Sequence, residues 1–358
     1  MQQTAARRWE DKMQGNPFDI SFGKSPNETI ERVRQNREIL EAFTTDPVVQ
    51  QIFMITGVRG SGKTVLMNTI ANSLEAEKEW IVIRLNPDRD LLQSMGAKLC
   101  STRSNAELFQ NAKLNLSLFG FGITVDEAPP ITDIEFAIEK MMKTLKKHHK
   151  KVLVTIDEVT NNEHVRVFCS AFQILIGQNL PIYLLMTGLY ENIESLQDEQ
   201  SLTFLYRAPK IRMTPLNIGM VAARYAEVFS IPHEEAVRMA VLTKGYSFAF
   251  QALGYSRWRN RDSMDRCLAE YRLLLEEYVY EKIWSELSAK DKRIADGIAH
   301  CPDGKIASIN QYLGLKPDEI NQYRRRLIRK GIVSGEEYGR LQFTLPMFED
   351  FVRDRMIE

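Results

Sequence analysis

Short apolar runs alternate with longer amphipathic stretches over roughly the first 210 residues of the chain. Four of the runs have the length and nearly continuous apolar character of strands that are buried on both faces of a parallel sheet. They are Ile52–Ile55, Trp80–Leu85, Val152–Ile156 and Pro181–Leu189. Between them, apolar residues recur at three- and four-residue steps, most clearly from Thr132 to Lys147, as on one face of a helix. The pattern therefore predicts an α/β fold built on a parallel sheet.

Weaker patterns predict further elements. Asn27 or Thr29 is expected to cap a helix that runs to about Phe43. Partial alternation around a Phe-Gly-Phe-Gly centre predicts a β-hairpin from Lys113 to Thr124. Three other segments are expected to be a helix over 90–101, a helix over 164–176 and a strand-like piece over 203–213, in which Pro209 implies an edge or irregular position.

The remaining two fifths of the chain lack long strand patterns. Residues 214–275 show helical periodicity throughout. Residues 276–358 follow the order of a winged helix, with predicted helices over 288–299 and 306–313, a recognition-helix position over 317–330, a hairpin wing over 331–345 and a last amphipathic helix. We therefore expect an α/β core, then a helical segment, then a C-terminal winged helix.

The first predicted strand leads into a glycine-rich segment and then into a helical pattern. Gly57, Gly62, Lys63 and Thr64 fit the phosphate-binding pattern G-x-x-x-x-G-K followed by Ser or Thr. Glycines let successive backbone N–H groups turn toward an anion, and the following helix directs the positive end of its dipole at the same anion. Lys63 is expected to reach the β- and γ-phosphates of ATP, and the Thr64 hydroxyl to ligate Mg²⁺. The predicted ATP-binding residues are Gly57, Arg59, Gly60, Ser61, Gly62, Lys63, Thr64 and Val65.

Two carboxylates, Asp157 and Glu158, follow the third predicted strand. Charges at the end of a buried strand are costly without a partner or a task, and ligands bind at the carboxyl ends of strands in open α/β sheets. We predict that Asp157 holds Mg²⁺ through water and that Glu158 polarises the water that attacks the γ-phosphate. Thr187, near the end of the next predicted strand, is expected to hydrogen-bond the γ-phosphate or that water.

Length, composition and charge restrict the number of domains and the class of protein that carries this site. A length of 358 residues suggests two or three domains, and contents of 44% apolar and 26% charged residues are ordinary for a globular protein. The formal net charge is zero, so nothing attracts the whole chain to nucleic acid or anionic lipid. No apolar run approaches 18 residues and the N-terminus lacks an apolar core, which predicts neither a transmembrane helix nor a signal peptide. Four widely spaced cysteines favour the reduced cytoplasm.

The segments GVRGSGKT, VTIDEV, LLMTGL and LYRAPKIRMTPL together resemble the AAA+ class of P-loop ATPases. More narrowly, nearly the whole chain is similar to the archaeal-type ATPases that group with origin-recognition initiators and STAND signalling ATPases. The resemblance implies slow, Mg²⁺-dependent ATP hydrolysis, with Thr187 as the sensor-1 residue and Arg207 as the candidate arginine finger. It also implies an N-terminal arm (1–30), a P-loop ATPase core (31–213), a helical lid (214–277) and a winged-helix domain (278–358).

Two features of this resemblance concern the nucleotide. Two interpretations of the arm are open: its aromatic residues pack on the core, or Phe22 lies over the adenine ring. The segment Gly245–Gln251 stands where many AAA+ proteins begin the lid helix that bears a sensor-2 arginine, and it contains no arginine. The chain is there closer to relatives that lack sensor 2.

The biological output is open between two classes of function, with a nucleotide-binding structural protein without turnover as a third, plainer alternative. Arg324, Arg325, Arg326, Arg329 and Lys330 form a basic group in the predicted recognition helix, which favours a switch associated with double-stranded DNA. Its first turn, however, carries Asp318 and Glu319, and from Glu281 onward fourteen Lys and Arg face thirteen Asp and Glu. The alternative is a STAND-like signalling ATPase that works through a protein partner or a homo-oligomer, without DNA. The basic run Lys143–Lys151 is also open to two interpretations: it is either a nucleic-acid patch or a solvated helix end.

Overall fold

A computed structural model describes residues 15–21, 26–126, 128–316 and 319–357. The chain divides into two compact units. The core unit consists of Val33–Thr56 and Lys63–Arg212. The lid unit consists of the described parts of Met1–Arg32 and Met213–Glu358, together with Gly57–Gly62. Each unit has its own cluster of buried apolar side chains.

The core unit is built on a sheet of five parallel strands in the order β2-β3-β4-β1-β5. The strands are β1 (Ile52–Thr56), β2 (Trp80–Leu85), β3 (Lys151–Ile156), β4 (Ile182–Gly188) and β5 (Lys210–Arg212). The first four were predicted from their apolar runs, and β1, β4 and nearly all of β3 are buried, as strands covered on both faces must be. Ile156 pairs with Met186 and Ile55 with Thr187, so β3, β4 and β1 end at one edge of the sheet.

The described residues of the core unit also form seven α-helices. They are α1 (Val33–Thr44), α2 (Lys63–Glu75), α3 (Leu91–Cys100), α4 (Arg103–Asn111), α5 (Ile134–Lys147), α6 (Glu163–Gly177) and α7 (Tyr190–Gln197). Polar side chains fix several starts: Asp90, Thr102, Asp133 and Asn162 each accept a hydrogen bond from a backbone N–H in the first turn. The predicted helices over 90–101, 132–147 and 164–176 are confirmed to within two residues at either end.

One local prediction for this region is wrong, and another holds only in part. The segment from Lys113 to Thr124 forms no hairpin: Ser117–Phe119 is a short 3₁₀ helix, Gly120 and Gly122 take positive φ angles, and a backbone hydrogen bond from the Leu116 N–H to the Ile123 carbonyl closes the loop without forming strands. The strand-like piece over 203–213 is only partly a strand: its first five residues belong to a 3₁₀ helix (Gln200–Arg207), whereas β5 joins the sheet at its edge, the position that Pro209 implied. Arg207 therefore ends a helix instead of lying on a strand.

The first helix begins at Val33, after both predicted caps. Residues 26–32 are held outside it by contacts within the lid unit, where Glu28 pairs with Arg224 and its carbonyl accepts from Gln251. Such long-range contacts override a local capping signal. Phe18 of the arm is buried among the rings of Tyr225, Phe229 and Phe250, so this aromatic residue packs, as the first interpretation of the arm expects, but on the lid unit instead of the α/β core. Phe22 lies outside the described residues.

The lid unit is helical, apart from one short hairpin, in its described residues. Its first helices are α8 (Ile218–Phe229), α9 (His233–Leu242), α10 (Ser247–Arg259) and α11 (Met264–Leu275), followed by a π-helical turn and α12 (Glu281–Ser285). Further on come α13 (Ala289–His300), α14 (Ile306–Leu313), α15 (Glu319–Arg329), the antiparallel pair β6 (Val333–Ser334) and β7 (Gln342–Phe343), and α16 (Phe348–Ile357). This is the predicted element order; Asp318 falls outside the described residues.

Contacts within the basic run Lys143–Lys151 favour one of its two interpretations. Within the basic run, Lys143 and Lys151 pair with Glu139 and Glu79, and Lys146 and Lys150 donate to backbone carbonyls. Such contacts are typical of a solvated helix end, not of a nucleic-acid patch.

All four cysteines are free and buried. Across the described ranges, no helix is both long enough and apolar enough to cross a bilayer.

Candidate nucleotide and catalytic site

The loop Gly57–Gly62, here called the phosphate loop, owes its shape to its glycines. Gly60 and Gly62 have φ angles of +70° and +88°, in the left-handed region that other residues avoid. A Cβ on Gly60 would lie 2.3 Å from the Tyr246 hydroxyl, so this position also permits a close approach. The Ser61 hydroxyl is buried and makes no hydrogen bond to the described part of the chain. Such an orphaned polar atom fits a loop shaped to receive a ligand.

Three consecutive carbonyls of the phosphate loop accept hydrogen bonds from three consecutive lid residues. The Tyr246 hydroxyl donates to the Arg59 carbonyl (2.5 Å), the Phe248 N–H to Gly60 (3.0 Å) and the Ser247 hydroxyl to Ser61 (2.9 Å). Burial raises the pKa of Tyr246 far above its ordinary range, so its hydroxyl stays a donor. The start of α10, which lacks the sensor-2 arginine, thus binds the loop backbone.

The Arg59 side chain also links the phosphate loop to another residue of the lid unit. It forms a bidentate ion pair with Glu286, with a shortest distance of 2.6 Å between Nη2 and Oε1. Burial alone would raise the pKa of Glu286, but the hydrogen bonds and charge of Arg59, with Lys282, hold that pKa below its ordinary value. Arg59 was predicted to bind nucleotide, and in this structure its guanidinium binds a carboxylate.

In the core unit, the residues after the phosphate loop start α2. Lys63 is its first residue and is 8% exposed. Thr64 follows it, and its hydroxyl donates to Asp157 Oδ2 at 2.8 Å. Val65 is half-buried in the first turn. The predicted Mg²⁺ ligands Thr64 and Asp157, which are distant in sequence, therefore meet at the edge where β3 ends.

Asp157 also contacts the end of β4. Its Oδ1 accepts hydrogen bonds from the Thr187 hydroxyl and from the Glu158 N–H, the latter at 3.1 Å. The Glu158 N–H lies equally close to the Thr187 hydroxyl, which is fully buried. Glu158 itself has a φ angle of +52° and an exposed side chain. The backbone thus turns sharply at Glu158 and directs its carboxylate away from the buried strand.

The Thr64–Asp157 pair fits Mg²⁺ by its chemistry, because a hydroxyl and a carboxylate are hard oxygen donors. Among the described residues, no group of three or more His, Cys, Asp or Glu is arranged to hold a metal ion. A site with few protein ligands is what Mg²⁺ uses in nucleotide enzymes, where water and phosphate oxygens supply the rest.

Some of the predicted site residues contact one another in the structure, and others do not. Thr64, Asp157, Glu158 and Thr187 form one hydrogen-bonded cluster in the core unit. Arg207 is exposed and is not among the described residues whose hydrogen bonds build that cluster. Sequence reasoning missed Tyr246, Ser247 and Arg32, which bind the loop carbonyls. The missing sensor-2 arginine was the only signal that something else contacts the loop there.

Comparisons with known proteins find family matches for two parts of the chain. Residues 30–204 match a family described as an ATPase domain predominantly from Archaea, and residues 277–352 match a domain of unknown function. A search of curated proteins finds no match.

Two solved structures share the fold over nearly their whole length. The Walker-type ATPase paby2304 of Pyrococcus abyssi has 16% identity and a TM-score of 0.62, covering 93% of this chain and 99% of that one. The ORC2 protein of Aeropyrum pernix, solved in ADPNP–ADP complexes, has 14% identity and a TM-score of 0.56, covering 95% and 98%. With the parallel sheet and the phosphate loop, the family match identifies residues 30–204 as an archaeal-type ATPase domain.

Proposed function

We propose that this chain binds ATP with Mg²⁺ at the phosphate loop and the start of α2, and hydrolyses it slowly as a nucleotide-dependent switch. The observation that carries the proposal is the Asp157 carboxylate, which contacts Thr64 with one oxygen and Thr187 with the other. A carboxylate shared in this way links the metal-binding hydroxyl of α2 to the residue at the end of β4.

Each residue of the cluster has a separate role in the proposal. Lys63 binds the β- and γ-phosphates, while Thr64 and Asp157 hold Mg²⁺, directly and through water. When bound, Mg²⁺ neutralises charge on the β- and γ-phosphate oxygens. Glu158 accepts a proton from the attacking water, and its exposed carboxylate projects away from the buried strand to do so. Thr187 orients Glu158 by accepting its N–H, and orients Asp157 by donating to it.

Two variants test the enzymatic part. Lys63→Ala is expected to weaken MgATP binding at least tenfold, because it removes the cation from the phosphates. Glu158→Gln is expected to keep ATP bound and reduce turnover by about 10²-fold or more. Glu163→Gln, an exposed carboxylate at the start of α6, is the matched control. Normal turnover in Glu158→Gln would remove Glu158 from the role of base.

The output of the switch has two candidates, and the first is binding of double-stranded DNA. On α15, Gln322, Arg325 and Arg329 are at positions i, i+3 and i+7, so they share one face. Arg326 is different: it donates to the buried Asp291 at 2.5 and 2.8 Å and to Ser288, and so anchors α15 to α13. A test of DNA binding should therefore spare Arg326.

We expect Arg325→Ala/Arg329→Ala to weaken duplex binding. The slope of log affinity against log salt concentration should also become shallower, by about one for each phosphate that the variant no longer neutralises. Lys143→Ala, on the surface of α5, is the control. If the wild-type chain shows no duplex binding at low salt, with or without ATP, the second candidate replaces the first: a STAND-like switch that acts on a protein partner.

Arg207 is proposed as an arginine finger for a neighbouring copy, because its side chain is exposed and outside the cluster. That role makes turnover per chain rise with protein concentration, and Arg207→Ala should abolish the rise. A rate per chain that is constant over a hundredfold range of concentration would exclude an arginine supplied by a second copy.

A further inference from the structure

We propose that Arg32 is a positioning residue for nucleotide phosphate, acting through the Ser61 carbonyl of the phosphate loop in place of an arginine on the lid. The inference rests on the proposed ATP-binding function and adds to it a residue that neither the motif nor the family resemblance assigns.

Arg32 lies within hydrogen-bond distance of three groups of the lid unit. Its Nη1 donates to the Thr214 carbonyl at 2.7 Å. Its Nη2 donates to the Ser61 carbonyl and to the Ser247 hydroxyl, each at 3.1 Å. The Ser247 hydroxyl itself donates to the same Ser61 carbonyl at 2.9 Å. One loop carbonyl is therefore held by a cation and a hydroxyl together.

All of these partners are neutral. Burial lowers the pKa of the Arg32 guanidinium to about 10, which leaves it protonated at neutral pH. A partly buried cation among neutral partners is costly unless an anion compensates it. By contrast, Arg224 and Arg59 in the same unit pair with Glu28 and Glu286. The anion that suits a cation directly behind a phosphate loop is a phosphate group.

The geometry of the peptide bond explains how Arg32 acts without touching the ligand. In a trans peptide the C=O and the following N–H point in opposite directions. Fixing the Ser61 carbonyl toward Arg32 therefore directs the Gly62 N–H to the other side of the loop. That N–H belongs to the set that cradles phosphate in this motif. A cation bound to the carbonyl also polarises the peptide, which makes its N–H a stronger donor.

The test uses the full-length chain and compares adenosine, ADP and ATP as ligands. In Arg32→Ala, we expect MgATP and ADP to bind about tenfold more weakly, since the variant removes a charge-assisted hydrogen bond behind a phosphate donor. Adenosine has no phosphate, so any affinity for it should be unchanged. Arg34→Ala, at an exposed position two residues later, is the matched control.

Further variants separate positioning from mere folding. Ser247→Ala, which keeps Arg32, should weaken ADP binding by a smaller factor, and the two effects should not add, because both residues hold one carbonyl. Arg32→Lys should restore part of the affinity. Millimolar guanidinium should do the same for Arg32→Ala, which a purely structural defect would not permit.

The outcomes are distinct. Wild-type turnover together with unchanged ADP and ATP affinities in both Arg32→Ala and Ser247→Ala would overturn the role of Arg32 and leave the ATPase proposal standing. Equal losses of affinity for adenosine and ADP would also overturn it, since the defect would then not concern phosphate. A wild-type chain that binds neither ADP nor ATP would overturn both proposals.

Discussion

Glu158 combines the proposed catalytic task with an unfavourable backbone conformation. Its φ angle of +52° places a side chain with a Cβ in the left-handed region, at a cost of about 1–2 kcal/mol. The conformation persists because the Glu158 N–H is held by Asp157 and Thr187. Strain held in place by its surroundings is typical of functional sites. Here it turns the chain so that Asp157 stays at the sheet edge while Glu158 projects from it.

This strain leads to a prediction of opposite effects on stability and activity. Glu158→Gly removes the Cβ, so the free energy of unfolding should rise by about 1 kcal/mol, while turnover falls to the level of Glu158→Gln. Chemical denaturation and an ATPase assay measure the two effects.

The control for this prediction is His149→Gly. His149 has a φ angle of +55° and follows α5, away from the cluster. It should gain similar stability and keep full turnover. A loss of stability in Glu158→Gly with the expected gain in His149→Gly would show that the Glu158 side chain stabilises the fold, and that its conformation is not strained.

The predictable residues of the site are those fixed by short-range rules. Lys63 and Thr64 follow from the loop motif, and Asp157 and Thr187 from their positions at the ends of apolar runs, because parallel strands bring such ends to one edge. Arg32 and Tyr246 could not be predicted, because their roles depend on contacts between segments 29 and 187 residues apart. A single arginine among 47 basic residues carries no local signal of this kind.

At the scale of elements, periodicity succeeded where both faces of a segment are buried and failed where glycine and tertiary packing decide the structure. The strands β1 to β4 needed only their apolar runs. The segment 113–124 alternates like a hairpin, yet Leu114, Leu116 and Ile123 are buried together and Phe121 packs against α3. A loop folded onto a helix buries the same residues that a hairpin face would.

The contact of this loop with α3 gives a test on two helical glycines. A Cβ on Gly96 would lie 2.5 Å from the Phe121 ring, whereas a Cβ on Gly177, at the end of α6, would meet none of the described residues within 4 Å. Alanine normally stabilises a helix relative to glycine by about 0.5–1 kcal/mol. We expect Gly177→Ala to do so, and Gly96→Ala to destabilise the chain by about 1–3 kcal/mol through overpacking.

Chemical denaturation of both variants measures the contrast. The further variant Gly96→Ala/Phe121→Ala provides the control, because it restores room for the added methyl group and should recover part of the stability relative to Phe121→Ala alone. If Gly96→Ala is as stable as Gly177→Ala, Phe121 does not pack on α3 in solution.

At the scale of the whole molecule, the contacts divide the phosphate-binding motif between the two units. Gly57–Gly62 belong to the lid unit, whereas Lys63 and Thr64 belong to the core unit with the Asp157 cluster. The loop backbone contacts α10, and Arg59 contacts Glu286 next to α12. We expect a change in the loop to reach α10 and the segment that leads to α13 through these contacts. This coupling favours a switch over a simple nucleotide store.

The ion pair between Arg59 and Glu286 gives this coupling a measurable pH dependence. Because the pKa of Glu286 is held below its ordinary value of 4.5, its ion pair stabilises the fold above that pH and is lost as the pH falls through the lowered value. Glu286→Gln should therefore lower the melting temperature at pH 7 and become equal to the wild type in acid. The difference corresponds to about 1 kcal/mol or less, since the two side chains are 29% and 31% exposed.

Glu75→Gln provides the matched comparison within the core unit. The hydrogen bond from Arg84 lowers the pKa of Glu75 as well, so this variant should lose stability over the same acid range. Glu75 lies on α2, and its hydrogen bonds join it to Arg84 and not to the phosphate loop. Only Glu286→Gln should therefore also change the rate at which ADP leaves the loop, because Glu286, and not Glu75, binds Arg59. Equal ADP release from both variants and the wild type would show that the ion pair stabilises the lid unit without taking part in the switch.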